Sequence, residues 1–165
     1  MTGFTVRTTT EDDWRELRDL RLEMLADTPL AFGEFLEDAV KVDETGWRAR
    51  AARGSALTST FFAAISDDGQ WIGIMGGVIE LGRPVLVGVY VSPAFRGPSI
   101  GVADALLAAV EHWARLRQGT LTLHVHADNP RARAFYARRG FVSTGVTVPY
   151  RLNPQQTELE MVKRL

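Results

Sequence analysis

The chain contains no cysteine. Disulfides, thiolate metal sites and a cysteine nucleophile are thereby excluded. No apolar run approaches the ~20 residues that span a bilayer. The opening stretch, MTGFTVRTTTEDDW, lacks a basic segment followed by an apolar one, the mark of a secretory leader. A cytoplasmic protein with no membrane partner is therefore expected. Charge surplus is missing as well: a net charge of −1 argues against a bulk electrostatic binder of nucleic acid.

What is present fits an ordinary globular chain, with 45% hydrophobic and 24% charged residues. A length of 165 residues predicts one domain, 1–165, with a core that needs no staples. FTVRTT alternates like a first strand. Thr10 with Asp13 resembles a capping box ahead of a helix whose Trp14, Leu17, Leu20 and Met24 fall at helical spacing. EFLEDAVKV predicts a second, shorter helix, and GWRARAAR a short helix leading into a loop. TSTFFAAI and WIGIMGGVIEL, separated by SDDGQ, predict a hairpin. VLVGVYV is apolar almost throughout and reads as a strand buried on both faces. A helix after residue 101, the strand TLTLHVH, the helix PRARAFYARRG and two closing strands complete an α/β chain with a mixed sheet.

The stretch VYVSPAFRGPSIG carries the chemistry. A strand feeds a Pro-, Gly- and Ser-containing loop around one arginine and then enters a helix at once. Such a junction leaves amides without intrahelical partners beside a positive side chain, an arrangement that suits an anion. The loop matches neither G-x-x-x-x-G-K-[ST] nor G-x-G-x-x-G, so neither a P-loop nor a dinucleotide fingerprint is supported. Taken alone it is equally well a tight strand-to-helix connection.

Together with ADNPRARAFYARRGF, the loop resembles the GNAT superfamily of acetyl-CoA-dependent N-acetyltransferases, in its bacterial branch. Arg96-Gly97-Pro98-Ser99-Ile100-Gly101 is similar to that family's pyrophosphate loop. Asn129, Phe135-Tyr136 and Gly140-Phe141 are similar to its second motif. The resemblance implies a central, mostly antiparallel mixed sheet of about seven strands flanked by about four helices. It implies acetyl-CoA as acyl donor, with Arg96, Gly97, Ser99, Ile100 and Gly101 at the diphosphate. Val89, Tyr90 and Val91 would lie along the pantetheine and Asn129 would also hold the cofactor. Tyr136 would act as general acid to the departing thiolate, since a phenol with a pKa near 10 is protonated at neutral pH. One departure stands out: Ser99, preceded by Pro98, occupies a position that is usually Gly.

The strand before the loop has none of the glutamates that serve relatives as a base. Glu80 is the nearest candidate by chain order, and His124 and His126 are alternatives. Two strand histidines without a third ligand predict no metal. Arg131, Arg133, Arg138 and Arg139 cluster near the expected cofactor phosphates. The acceptor would be a small-molecule or peptide amine. Residues 11–44 hold twelve acidic and four basic residues, so an acidic wall predicts a cationic acceptor. A non-catalytic acyl-CoA sensor or partner module is the alternative reading, and a homodimer is expected from family habit alone.

Overall fold

The computed structural model describes residues 3–165. Strand β1 (Phe4–Thr8) leads to Thr10, whose backbone N–H donates to Asp13 Oδ2 at 2.8 Å, the expected capping box. Helix α1 (Trp14–Asp27) follows and buries Leu17, Leu20, Met24 and Leu25. The expected second helix shrinks to one turn, α2 (Leu36–Ala39), because only Ala39 in it is buried and little packing extends it. Helix α3 (Glu44–Ala52) starts on Asp43, whose side chain accepts from the Gly46 amide at 2.8 Å. It anchors through Trp47 and Ala51, both essentially fully buried.

Strands β2 (Ser55–Ala56), β3 (Ser59–Ser66), β4 (Trp71–Glu80) and β5 (Arg83–Val91) run antiparallel in sequence. Helix α4 (Val102–Arg115) crosses to β6 (Thr120–His126), which lies parallel to β5. Helix α5 (Pro130–Arg138) and the hairpin β7 (Val142–Tyr150) and β8 (Asn153–Arg164) finish the chain. The main sheet runs β1-β3-β4-β5-β6-β8-β7, with β2 added beside β3. Eight strands and five α-helices among the described residues compare with the seven and four expected.

One sheet face packs on α4 through Ile72, Met75, Leu86, Val110 and Leu123. The other packs on α1 and α3 through Leu20, Met24, Ala51, Ala63 and Ile74. No described helix is long and apolar enough to cross a membrane.

β5 departs from the expectation of burial on both faces, because Val87, Gly88 and Val89 are only half-buried. The cause lies in the pairing. β5 meets β6 at a single register, Val85 opposite Thr122. Past that point β5 bulges against β4, the register shifting between Ile74 and Gly76. Gly88, with φ +61°, absorbs the bulge in a backbone region that a side chain would disfavour. β6 meanwhile stays laddered to β8, so the sheet splits down its middle.

Candidate functional site

The split opens a cleft of about 1350 Å³ that crosses the sheet from the start of α4 to the α1–α3 side. Val89, Tyr90, Val91, Arg96, Gly97, Asn129 and Tyr136 line it, together with Glu80 at one end. Ser99, Ile100 and Gly101 do not; they form the outer turn of the loop. The Ile100 and Gly101 amides point inward to the Gly97 carbonyl, both at 3.3 Å.

On the loop side, the two positions with left-handed backbone are Gly97 (φ +117°) and Gly101 (φ +78°). Ser99 is not left-handed, so replacing the usual glycine there stores no backbone strain. Gly101 caps α4, and the first amide bonded back is that of Ala105, to the Gly101 carbonyl at 3.0 Å. The amides of Val102, Ala103 and Asp104 therefore have no backbone partner and leave the positive end of α4 open.

Arg96 is engaged differently from the expectation that it waits for a diphosphate. Its Nε donates to the Val91 carbonyl at 2.8 Å, and its Nη2 pairs with Asp27 at the end of α1. It stacks on Tyr90, whose hydroxyl donates to Glu23 at 2.9 Å. The side chain thus pins the loop to the end of β5 and to α1. The cleft's unpaired cations on this side are Arg131 and Arg138, which make no ion pair among the described residues. Arg139 is paired with Asp104 at 2.7 Å, and Arg133 lies outside the cleft. Asn129 accepts from the Ala132 amide at 3.1 Å to cap α5, leaving its amide nitrogen at the cleft.

Tyr136 sits where β5 and β6 diverge, packed edge-on against Phe135 and Phe141 with ring centroids 5.3 and 5.7 Å apart. Burial alone pushes its hydroxyl above the ordinary tyrosine range, and no hydrogen bond to the protein contributes. The group stays protonated at neutral pH and has a proton to give.

Glu80 stands apart from this centre. It closes the β4–β5 hairpin opposite Arg83, exposed and four residues beyond Gly76 on β4, or ~13 Å along a strand. The histidines are tied down. Nδ1 of His126 accepts from the Asp128 amide at 3.1 Å, so its Nε2 carries the proton toward Gln156 Oε1, also at 3.1 Å. His124 faces Glu160 at 3.4 Å, and Glu160 is further held by Arg83 and Thr144.

The structure brings forward a residue that the sequence reading passed over. Glu158 pairs with His126 across β6–β8 and lines the cleft. Burial raises its carboxyl pKa above the usual glutamate value, partly opposed by His124 and His126. Beside it the Tyr150 hydroxyl is enclosed and has no hydrogen-bond partner. The alternation in HVH and TELEM was the available signal: antiparallel pairing puts His124, His126, Glu158 and Glu160 on one face.

The far wall of the cleft reverses the charge expectation. Of the twelve acids in residues 11–44, only Glu34 and Asp38 line the cleft. Asp38 is exposed beside Lys41 at 3.5 Å. Glu34 is gripped by Arg21 at 2.9 Å and Arg50 at 2.7 Å. The remaining acids face solvent or pair elsewhere, because amphipathic α1 turns its apolar stripe inward. An acidic wall does not face the cleft. Among the described residues no group of three or more His, Asp or Glu is placed to hold a metal ion.

Residues 14–141 match the family model described as the Acetyltransferase (GNAT) family. No curated protein matches the sequence significantly. The fold superimposes on the PaiA N-acetyltransferase of Thermoplasma acidophilum in complex with coenzyme A, with TM-score 0.76 and 19% identity over 99% of each chain. It also superimposes on the acetyltransferase YncA of Salmonella typhimurium, solved with its cofactor acetyl-CoA, with TM-score 0.77 and 17% identity over 99% of this chain and 94% of that one. Nourseothricin acetyltransferase is 28% identical over 66% of each chain, with TM-score 0.58.

Proposed function

Because the chain belongs to the GNAT acetyltransferase family, we propose that it transfers the acetyl group of acetyl-CoA directly to a primary amine. The observation that carries this reading is the split between β5 and β6, which ends beside the open N-terminus of α4. An extended donor lies along the free edge of Val89–Val91 with its diphosphate at the loop. The amides of Gly97 and the first turn of α4 receive the phosphates. Arg131 and Arg138 supply charge, while Arg96 keeps the loop in place. The local features fit such a group: left-handed backbone occurs only at glycines in this loop, and the helix amides are unclaimed.

The acceptor enters from the α1–α3 side. Glu158 removes a proton from the ammonium and leaves a neutral nitrogen nucleophile; burial raises its pKa, which makes it a stronger base than an exposed glutamate. The amine nitrogen bonds to the acetyl carbonyl carbon, and the amide at the β5 bulge receives the charge developing on the oxygen. The carbon–sulfur bond breaks, and Tyr136 gives its proton to the departing thiolate. The nitrogen sheds its second proton to solvent as the amide forms, and water relays the proton held by Glu158 back to Tyr136, which resets both groups.

Thermal unfolding with and without acetyl-CoA, with ATP and NAD as controls, tests the donor assignment. Acetyl-CoA at about 100 times its dissociation constant adds about 2.7 kcal/mol, a rise on the order of 5–10 °C for a chain of this size. Amine-dependent thiol release is expected alongside it. A rise without such release on any amine identifies a sensor; no rise at millimolar acetyl-CoA overturns the reading.

A further inference from the structure

Resting on that acetyltransferase reading, we propose that the acceptor carries an anionic group beside its amine, and that Arg53 and its neighbours on the α1–α3 wall receive it. Three arginines, Arg21, Arg50 and Arg53, line this arm of the cleft around one carboxylate, Glu34. Glu34 is already spent on Arg21 and Arg50, at 2.9 and 2.7 Å. Arg53 has no ion pair or side-chain hydrogen bond among the described residues, and it lies exposed at the end of α3. The group is crowded with like charge: burial lowers the pKa of Arg21, Glu34 opposes that, and Arg50 and Arg53 add to it. An incoming oxyanion relieves this excess. A guanidinium matches a carboxylate or phosphate in shape, donating two parallel hydrogen bonds.

The position is also right for an acceptor. The Arg53 guanidinium lies over the Phe61 ring, 5.2 Å from its centroid. That ring packs against Gly88, which absorbs the β5 bulge, and against Gly76 of β4, where the register shifts opposite it. Arg53 therefore stands one aromatic ring away from the point where the sheet opens. Across the cleft, the β7–β8 turn adds Arg151, whose chain reaches Gly33 of the α1–α2 connection. The β8 wall adds Glu158. An arginine-rich wall facing Glu158 matches a zwitterion, with the ammonium toward Glu158 and the acid toward the arginines. A simple polycation fits the same arm poorly, since it meets the arginine surplus.

The test follows thiol release by the full chain with acetyl-CoA and matched acceptors: free amino acids, their carboxamides, the corresponding decarboxylated amines, and aminoethyl phosphate. The acid member of a set is expected to exceed its carboxamide in kcat/KM by on the order of tenfold, as the loss of a hydrogen bond to a charged group implies. In Arg53→Gln that preference collapses toward parity through KM. Because Arg53 is exposed and has no ion pair or side-chain hydrogen bond among the described residues, this variant stays close to the wild-type Tm, which is measured in parallel. A preference for aminoethyl phosphate supports the proposal with phosphate as the anion. Equal or better turnover of carboxamides or plain amines overturns it, as does discrimination that survives in Arg53→Gln. Turnover of no acceptor, with acetyl-CoA still raising the Tm, overturns the acceptor class alone. Loss of the acetyl-CoA shift itself overturns the donor assignment instead.

Discussion

The two arms of the cleft are built by different means. The arm assigned to the donor is assembled mostly from neighbouring residues, the end of β5, the loop to Gly101 and the first turn of α4 in one continuous stretch, with Asn129 and, on α5, Arg131 and Arg138 added from one later segment. It works chiefly through main-chain amides that the start of α4 leaves without partners. The acceptor arm draws on α1, α3, the bulge, β6 and β8, and it works through side chains carried in from all of them. Backbone recognition tolerates a change of side chain, because the amide survives it. Side-chain recognition is set residue by residue, so on the proposed reading this arm decides which acceptor is taken.

The largest expected effect lies where the arms meet. Tyr136→Phe removes a hydroxyl that has no protein partner, so kcat falls by on the order of a thousandfold while the Tm and the acetyl-CoA shift stay at wild-type values. A variant that keeps more than half its turnover would move the acid elsewhere. Next comes Glu158→Gln on the acceptor side, with a loss on the order of a hundredfold in kcat at neutral pH. Wild-type activity should rise with pH as the Glu158 carboxyl deprotonates, at a pH above the ordinary glutamate range. The variant should lack that limb, and an identical pH profile in the two proteins would remove Glu158 from the reaction.

The smallest effect concerns stability. Glu34 is partly desolvated, which raises its pKa, but Arg50 and Arg21 more than offset this and hold it below its ordinary value of 4.5. Its contribution is complete above about pH 4.5 and is lost as pH falls through the lower folded value. The gap in Tm between wild type and Glu34→Gln should therefore narrow on acidification below that point. A constant gap down to pH 3 would show that the arginines do not stabilise the carboxylate.

The difference between the arms also explains what could be read without coordinates. The strand order around β5, α4 and β6, the cap at Thr10, and the loop itself follow from short-range patterns of period, cap and turn. Each of those signals is local. Arg96 showed its position but not its task, because the Asp27 that holds it lies 69 residues earlier. Glu80 looked close by chain order, yet a hairpin carries successive residues away along the strand. The acidic count of residues 11–44 ignored direction: a helix on a sheet turns its charged face outward, and only Glu34 and Asp38 reach the cleft. Glu158 required the register of β8 against β6, a pairing that no local pattern specifies.

The split itself has a mechanical meaning. By leaving β6 after Val85, β5 creates two edges in the interior of a sheet that would otherwise be continuous. Such edges on a protein's rim invite other chains to add on. Here α4 and α5 on one side and the α1–α3 layer on the other screen them, so only a thin, extended, amide-bearing chain can slide between. A donor of that shape acts as a keystone. On the proposed reading it bridges the half-sheet β1–β5 to the half-sheet β6–β8 at their open edges, which otherwise meet only through the core they share with α4.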